Sequence, residues 1–543
     1  MSESLKFSHS HLKSLSAIQE WPVGLSLPRP EVHSVSPFDL VASPFNEERR
    51  QVALETCALP LVKKLCNALR TEEVSYCHWK SNWKLSRWLG GHGDLDLLVS
   101  TSDSDRFLTI IFSLGFVQAI SRQQEDEPAI AHYYGWDAAA EKFVHLHVYS
   151  RLLVGHDLTN NYRLPIEEIL LNSVSSSSFI PVPQPELELI VFVVRKVLSF
   201  WSAETMLRRF SGRAVDFEKT ASELDYLELH TERSRVYQLL PQVFPTLSVS
   251  LFEACVESLR IDSSITTRVT AQRRLEKVIA THARRSRRLD GALRTWRFST
   301  RLFNDHILKR PRSKHSANGG SLIALVGGDG SGKTTAVKGV RKWLGESFEV
   351  KTFHFGKPRR SPITIAVILA LRGVALVNKL VGKPLPQTRE YYSSNRPGYL
   401  RMVRWVCAAR DRHRIYLKAR HFVARGGIAI CDRYLVRGIS LMDGPNIEET
   451  MRGAKLNVLS KALKDAETKR YQLIQEPDLL LILRVDPEIA VRRKTDEREQ
   501  HVRPRSQEIW EKDWSNTRAH VIDAGKSAAE VLADLRTKVW RHI

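Results

Sequence analysis

The run Ser321 to Val337, SLIALVGGDGSGKTTAV, constrains this chain more than any other stretch. Leu322, Ile323, Ala324, Leu325 and Val326 suit a strand buried on both faces. They lead into Gly327-Gly328-Asp329-Gly330-Ser331-Gly332-Lys333-Thr334, and a helix-compatible segment follows. The pattern G-x-x-x-x-G-K-[ST] in the order strand, loop, helix predicts a phosphate-binding loop. Its glycines allow positive φ angles and a close approach of backbone to an anion. The amides of Gly330, Ser331, Gly332 and Lys333 then line a helix N-terminus, where backbone dipoles favour negative charge. Lys333 can reach the outer phosphates of a nucleotide and Thr334 can hold Mg²⁺. Gly327, Asp329 and Thr335 complete the expected cradle for ATP.

At 543 residues the chain exceeds one core, so two to four domains are expected. An apolar content of 43% with 26% charged residues is that of a globular protein and excludes a disordered or collagen-like chain. The net charge of +22 favours polyanionic partners, meaning nucleotides, nucleic acid or an anionic membrane face, or else a basic surface that gathers phosphates. Six cysteines (Cys57, Cys66, Cys77, Cys255, Cys407, Cys431) show no C-x-x-C pair or metal-type spacing. Disulfides and structural zinc are therefore not expected, and a reducing cytoplasm fits. The N-terminal MSESLKFSHSHLKSL lacks an apolar signal core, which predicts no export. Ile363 to Leu380 is apolar but short and carries Arg372 and Asn378, as a buried or interfacial helix would.

Residues 1–48 are rich in Ser, Pro and His without periodicity and read as a mobile arm or a loosely packed extension. A first domain is expected over 49–175, opening on a helical pattern that includes Leu54, Leu61, Val62, Leu65 and Leu69. Its informative segment is Tyr76 to Ser100, YCHWKSNWKLSRWLGGHGDLDLLVS. Asp94 and Asp96 are one residue apart in a strand pattern, so both carboxylates project from one face. Two such acids can hold Mg²⁺; a structural turn is the plainer use of the same residues.

This segment resembles the nucleotidyltransferase superfamily, marked by a G-x-D-x-D strand after a helix. It resembles more narrowly the minimal subgroup, with an upstream lysine, a helix ending in L-G-[FY] and a strand reading x-L-H. Here those are Lys80, Ser113-Leu114-Gly115-Phe116 and Val144-His145-Leu146-His147, over roughly residues 50 to 170. The resemblance implies an α+β domain. In one respect the pattern departs, because His145 and His147 stand where active members carry a third carboxylate.

Residues 176–318 read as a basic helical connector, entered at Pro185. From 268 to 314 basic residues dominate and Trp296 and Phe298 lie among them, a composition that binds nucleic acid or an anionic membrane surface when it is not simply a solvated helix face. Lys309 to Gly320 reads as a linker.

The remaining 319–543 alternate strands and helices in the manner of a parallel α/β sheet. Strand patterns follow the loop at Glu349 to Phe355, Gly426 to Asp432, Pro477 to Val485 and His520 to Ala524. Asp432, at the carboxyl end of its strand, can orient hydrated Mg²⁺, and Arg433 beside it can clamp a phosphoryl group. The order of motifs resembles the thymidylate kinase family: G-x-D-G-S-G-K-T-T, Asp432-Arg433-Tyr434, P-D-L-x-x-x-L-x-V-D-P with an arginine-rich lid, and a closing I-D-A strand. The resemblance implies a P-loop NTPase fold and transfer of the ATP γ-phosphoryl to an acceptor phosphate. Lys333, Asp432, Arg433 and the lid residues Arg493 and Arg498 would be catalytic, with Thr334 and Asp432 on Mg²⁺, and the charged stretch from Arg492-Arg493-Lys494 through Arg498, Arg503 and Arg505 would supply mobile arginines that close over ATP. Asp329 would contact the acceptor sugar and Arg433 the acceptor phosphate. Two departures bear on the acceptor. Phe355-Gly356-Lys357-Pro358 replaces the family's R-E-P segment, and Val436-Arg437-Gly438-Ile439 replaces its thymine-reading A-Y-Q. dTMP, another nucleotide, a sugar phosphate or a lipid-linked phosphate remain open as acceptors, as does an ATP-dependent nucleic-acid-binding regulator. The residues do not fix an oligomeric state.

Overall fold

The computed structural model describes residues 47–121, 129–174, 179–210, 217–308, 313–356, 358–380, 398–436, 439, 444–453, 456–495 and 497–543. The expected N-terminal extension, the first part of the linker, Lys357, Arg437 and Gly438 lie outside these residues.

Among the described residues, seven strands precede the linker: β1 (Tyr76–His78), β2 (Asp94–Val99), β3 (Val117–Ile120), β4 (Ile130–Asp137), β5 (Lys142–Tyr149), β6 (Leu152–Val154) and β7 (Tyr162–Leu164). An eighth, β8 (His315–Ser316), comes from the linker itself. The main sheet runs β1-β2-β5-β4-β3-β8, with β2 and β5 parallel and the other pairs antiparallel, while β6 and β7 pair separately. Leu95, Leu97, Val144 and Leu146 share a core with Leu61, Val62 and Leu65 of helix Pro60–Thr71 and Phe107 and Ile111 of helix Ser104–Ser113. Alternation along β2 therefore sends Asp94 and Asp96 to the opposite face.

Helix Pro185–Ser199 is apolar nearly all round, and it is buried accordingly at the centre of a helical bundle. Its core is continuous with Trp79, Leu98, Tyr149 and Leu152 of the sheet. The segment expected as a connector is packed into the first domain rather than strung between two.

The second sheet contains β9 (Ser321–Gly327), β10 (Val350–His354), β11 (Ile428–Asp432), β12 (Leu479–Arg484) and β13 (Ala519–Asp523). All are parallel, in the order β10-β11-β9-β12-β13. Every residue of β9 is buried. Ile323 and Leu325 pack with helices Lys333–Leu344 and Ala528–His542 on one face, and Leu322, Ala324 and Val326 pack with helix Tyr399–Val423 on the other. Covering both faces is what the continuous apolar run demanded.

Aromatic side chains join the two sheets. Phe143 of β5 stacks on Trp343 with ring centroids 5.6 Å apart, and Trp136 of β4 meets Trp343 edge-on at 5.0 Å. Trp540 lies against Phe143 and Phe348 and donates its Nε1–H to Gly115 O at 3.0 Å. Gly115 belongs to the L-G-F stretch at the end of helix Ser104–Ser113, so that motif is part of the junction. Trp540→Ala removes a buried indole from this cluster and is expected to cost about 3–5 kcal/mol, read as a lower urea midpoint of the full chain. Trp540→Phe, which keeps a ring and loses the bond to Gly115, should cost only about 1 kcal/mol. Equal midpoints for the alanine variant and the parent would show that the cluster does not hold the sheets together.

Candidate functional site

The loop after β9 is shaped by what packs behind it. A Cβ added at Gly330 (φ 81°) would stand 2.4 Å from Ala490 O, and one added at Gly328 would stand 2.7 Å from Ser506 Cα. Both glycines are needed because helices Pro487–Arg493 and Glu499–Glu511 press directly on the loop. Gly332 (φ 79°) caps the helix that starts at Lys333, where the loop's amides meet the helix N-terminus. Thr334 and Thr335 are exposed at that end, and the buried Ser331 hydroxyl has no hydrogen-bond partner. Gly327 ends β9 beside Leu483 of β12.

Lys333 is folded back on the loop. Its ammonium donates to Gly328 O at 2.5 Å and lies 3.9 Å from Asp329. Burial pulls its pKa down to about 8, against the attraction of Asp329.

Asp329 is the centre of charge. Its side chain is 4% exposed, and its two oxygens accept from Arg433 Nη2 at 3.1 Å and Arg505 Nη1 at 2.7 Å. Burial works to raise this carboxyl, but the hydrogen bond from Arg505 and the charges of Lys333 and Arg433 hold it below the usual carboxylate range. Arg433 itself sits at φ 55°, a left-handed backbone that a side-chain-bearing residue adopts only under constraint. Next to it, Asp432 ends β11 with Oδ1 buried and unbonded and Oδ2 3.5 Å from His354 Nδ1.

The two lid residues singled out from the sequence do not face this centre. Arg493 donates to Ala524 O at 2.7 Å and Gly525 O at 3.1 Å, tying its helix to the end of β13, and Arg498 is exposed ahead of helix Glu499–Glu511. The lid arginine that reaches the loop is Arg505. Arg505 belongs to the charged stretch expected to close over ATP, and the buried face of Val502, Ser506 and Ile509 fixes how its helix docks.

The register of β2 against β5 sets Asp94 opposite His145 and Asp96 opposite His147. His145 Nδ1 lies 2.5 Å from Asp94 and His147 Nδ1 lies 3.0 Å from Asp96. Lys80, just after β1, meets Asp96 at 3.0 Å and donates to the Tyr149 hydroxyl at 2.8 Å. Burial works to raise Asp96, yet Lys80 and His147 keep it far below the ordinary range, and burial likewise fails to lower Lys80 against the pull of Asp96. His145 and His147 are pushed down by burial despite the carboxylates. A neutral ring that donates from Nδ1 has an accepting Nε2, and Lys314 supplies a donor to His145 Nε2 at 3.2 Å. Burial brings Lys314 down to about 8. Tyr134 stacks on His145 and His132 on His147, each at 4.3 Å, completing a ladder of rings across β4 and β5. Lys314, His132, Tyr134 and Tyr149 were not singled out in the sequence; the alternation of His132, Tyr134 and Trp136 was the available sign. No group of three or more His, Cys, Asp or Glu side chains suited to a metal ion occurs among the described residues.

Much of the basic stretch 268–314 serves the fold. Arg268 bonds Arg260 O and Ser263 O, Arg285 bonds Thr159 O, Arg297 bonds Leu158 O, Arg287 pairs with Glu276 and Arg294 with Asp290.

Asp329→Asn leaves Arg433 and Arg505 without their shared anion. We expect a loss of about 1–3 kcal/mol in stability and faster amide hydrogen exchange across 499–511. Unchanged exchange would mean that apolar packing alone seats the lid helix.

No family model matches the chain. It is 25% identical over 222 residues to the uncharacterized ATP-binding protein YghR of Escherichia coli strain K12, covering 40% of this chain and 86% of that protein. The YghR of Escherichia coli O6:H1 gives the same figures. Among solved structures, the thymidylate kinase of Candida albicans aligns with 41% of this chain and 94% of its own at 18% identity and a TM-score of 0.28. The deoxyadenosine kinase of M. mycoides, solved with dATP, aligns with 40% and 98% at 14% identity and a TM-score of 0.25. By its own loop, helix and parallel strands, the C-terminal part of this chain is a P-loop α/β fold.

Proposed function

We propose that the chain is an ATP-dependent phosphotransferase of the nucleoside monophosphate kinase type, moving the γ-phosphoryl of ATP to an acceptor phosphate. The observation that carries this reading is the convergence of Lys333, Arg433 and Arg505 on one buried carboxylate at the carboxyl ends of β9 and β11. Three cations held at one point are what a triphosphate undergoing in-line transfer needs, because the chemistry depends on positioning and charge rather than on a covalent intermediate. Loop amides bind the phosphates, Lys333 leaves Gly328 O for a phosphate oxygen, and Arg433 and Arg505 trade Asp329 for the transferring group. The lone buried oxygen of Asp432 and the exposed hydroxyl of Thr334 suit Mg²⁺, which would neutralise charge between the β- and γ-phosphates. An acceptor phosphate is already anionic near pH 7, so no base is required. On this reading Asp329 holds the arginines before substrate arrives, and Arg493 and Arg498 act only if the lid moves. dTMP is one acceptor of the right class; a sugar or lipid-linked phosphate is another. The engagement of the basic stretch 268–314 in the fold weighs against a nucleic-acid-binding regulator.

The test is ADP release by the full chain with Mg²⁺-ATP against a panel of nucleoside monophosphates, with Lys333→Ala as control. Stimulation by one monophosphate, lost by at least about a hundredfold in Lys333→Ala, is expected. ADP release that the variant retains would remove the loop from the reaction.

The shared face of Asp94 and Asp96 supports a second reading, metal-assisted nucleotidyl transfer in the first domain. Mg²⁺ would have to displace Lys80 and His145 from these carboxylates. Asp94→Asn with Asp96→Asn is expected to abolish transfer of labelled nucleotide and to leave ADP release unchanged. Transfer that survives the double substitution would lie elsewhere.

A further inference from the structure

Helix Pro362–Leu380 is apolar on nearly every side, yet only one side is covered. Its first turn is anchored: Ser361 N and Thr364 Oγ1 both donate to Asp411 Oδ2, at 3.2 and 2.7 Å. Thr364 is buried against helix Tyr399–Val423. The other side faces outward, with Ile363 52%, Ile365 47%, Leu369 58%, Leu376 60% and Val377 57% exposed. At 100° per residue, Ile365, Leu369, Leu376 and Val377 fall within one third of the circumference, Ala366 and Gly373 lie between them, and Ala370 lies just beyond. A helix of this composition is ordinarily buried all round, so a face this wide and this uniformly apolar calls for a covering.

The edges of the face are basic. Arg359 and Arg360 precede the helix and Arg372 lies at its margin, all exposed. No acidic residue occurs from Gly356 to Leu380. No helix among the described residues is long and apolar enough to cross a membrane. An apolar face flanked by arginines, on a helix pinned at its first turn, has the makings of a helix that lies in the interface of an anionic bilayer: the apolar side chains enter the acyl boundary and the guanidiniums meet lipid phosphates.

We propose that helix Pro362–Leu380 docks this chain on an anionic lipid surface. The docking helix is linked to the phosphate crevice through few groups. Arg412, next to the anchoring Asp411, donates to Phe355 O at 3.2 Å, and the Phe355 ring lies 4.8 Å from that of Tyr434, the residue after Arg433.

The test is co-sedimentation of the full chain with vesicles of phosphatidylcholine alone and of phosphatidylcholine containing phosphatidylglycerol, with binding of a fluorescent ATP analogue as a check on the fold. Retention on the anionic vesicles, weakening as salt is raised, is expected. Leu369→Glu with Leu376→Glu should weaken it by at least about tenfold, and so should Arg359→Glu with Arg360→Glu, while nucleotide binding is unchanged. Absence of retention, or equal retention by the parent and both variants, overturns the proposal. So does a parent that ignores vesicles but sediments as a dimer which Leu369→Glu with Leu376→Glu converts to a monomer, because a second copy would then cover the face. None of these outcomes depends on phosphoryl transfer, so failure here and failure of the phosphotransferase reading are separate results.

Discussion

The pairing of β9 with β11 on one side and β12 on the other sets the position of every group in the phosphate crevice. Because all three strands are parallel and in register, their carboxyl ends finish together, and Asp329, Asp432 and Arg433 emerge at one edge. The buried apolar side chains of β9 hold that edge in place. What they support is a buried carboxylate with an ammonium and two partly exposed guanidiniums around it. Asp329 partly offsets these cations, and their attraction outweighs the burial that works to raise its pKa.

The first domain resolves a similar problem differently. There two carboxylates sit on an open strand face, and the protein surrounds them with Lys80, His145, His147 and, from the linker, Lys314. The same few residues that carry Lys314 also form β8, which closes the first sheet only a few positions before β9 opens the second. One short run of chain thus belongs to both sheets. Together with the aromatic cluster around Trp343 and Trp540, it joins the two sheets in one packed structure rather than as beads on a string.

The large positive charge has more than one use. Arginines between 260 and 301 are largely spent on backbone carbonyls and on nearby acids, where a guanidinium can satisfy several acceptors at once. Others gather at Asp329. Those beside the exposed helix Pro362–Leu380 face solvent, which is why charge counted along the chain says little about where an anion is met.

The phosphate-binding loop, its strand and its helix were legible in the sequence because their signal is local: a buried strand needs consecutive apolar residues, and the turn after it needs glycine. The same holds for Asp94 and Asp96, whose spacing of two puts them on one face in any strand. Asp432 and Arg433 were legible for a related reason, since they end a strand whose apolar run is plain. The partners of these residues were not legible. That Arg505 and not Arg493 or Arg498 reaches Asp329 depends on how one helix docks, and an arginine-rich stretch offers many equivalent candidates. That Lys314 reaches His145 beside the acid pair, and that the helices after Pro185 share a core with the first sheet, depends on contacts between residues far apart in the chain. Periodicity reports which face of an element is apolar; which neighbour covers that face is settled only when the elements pack.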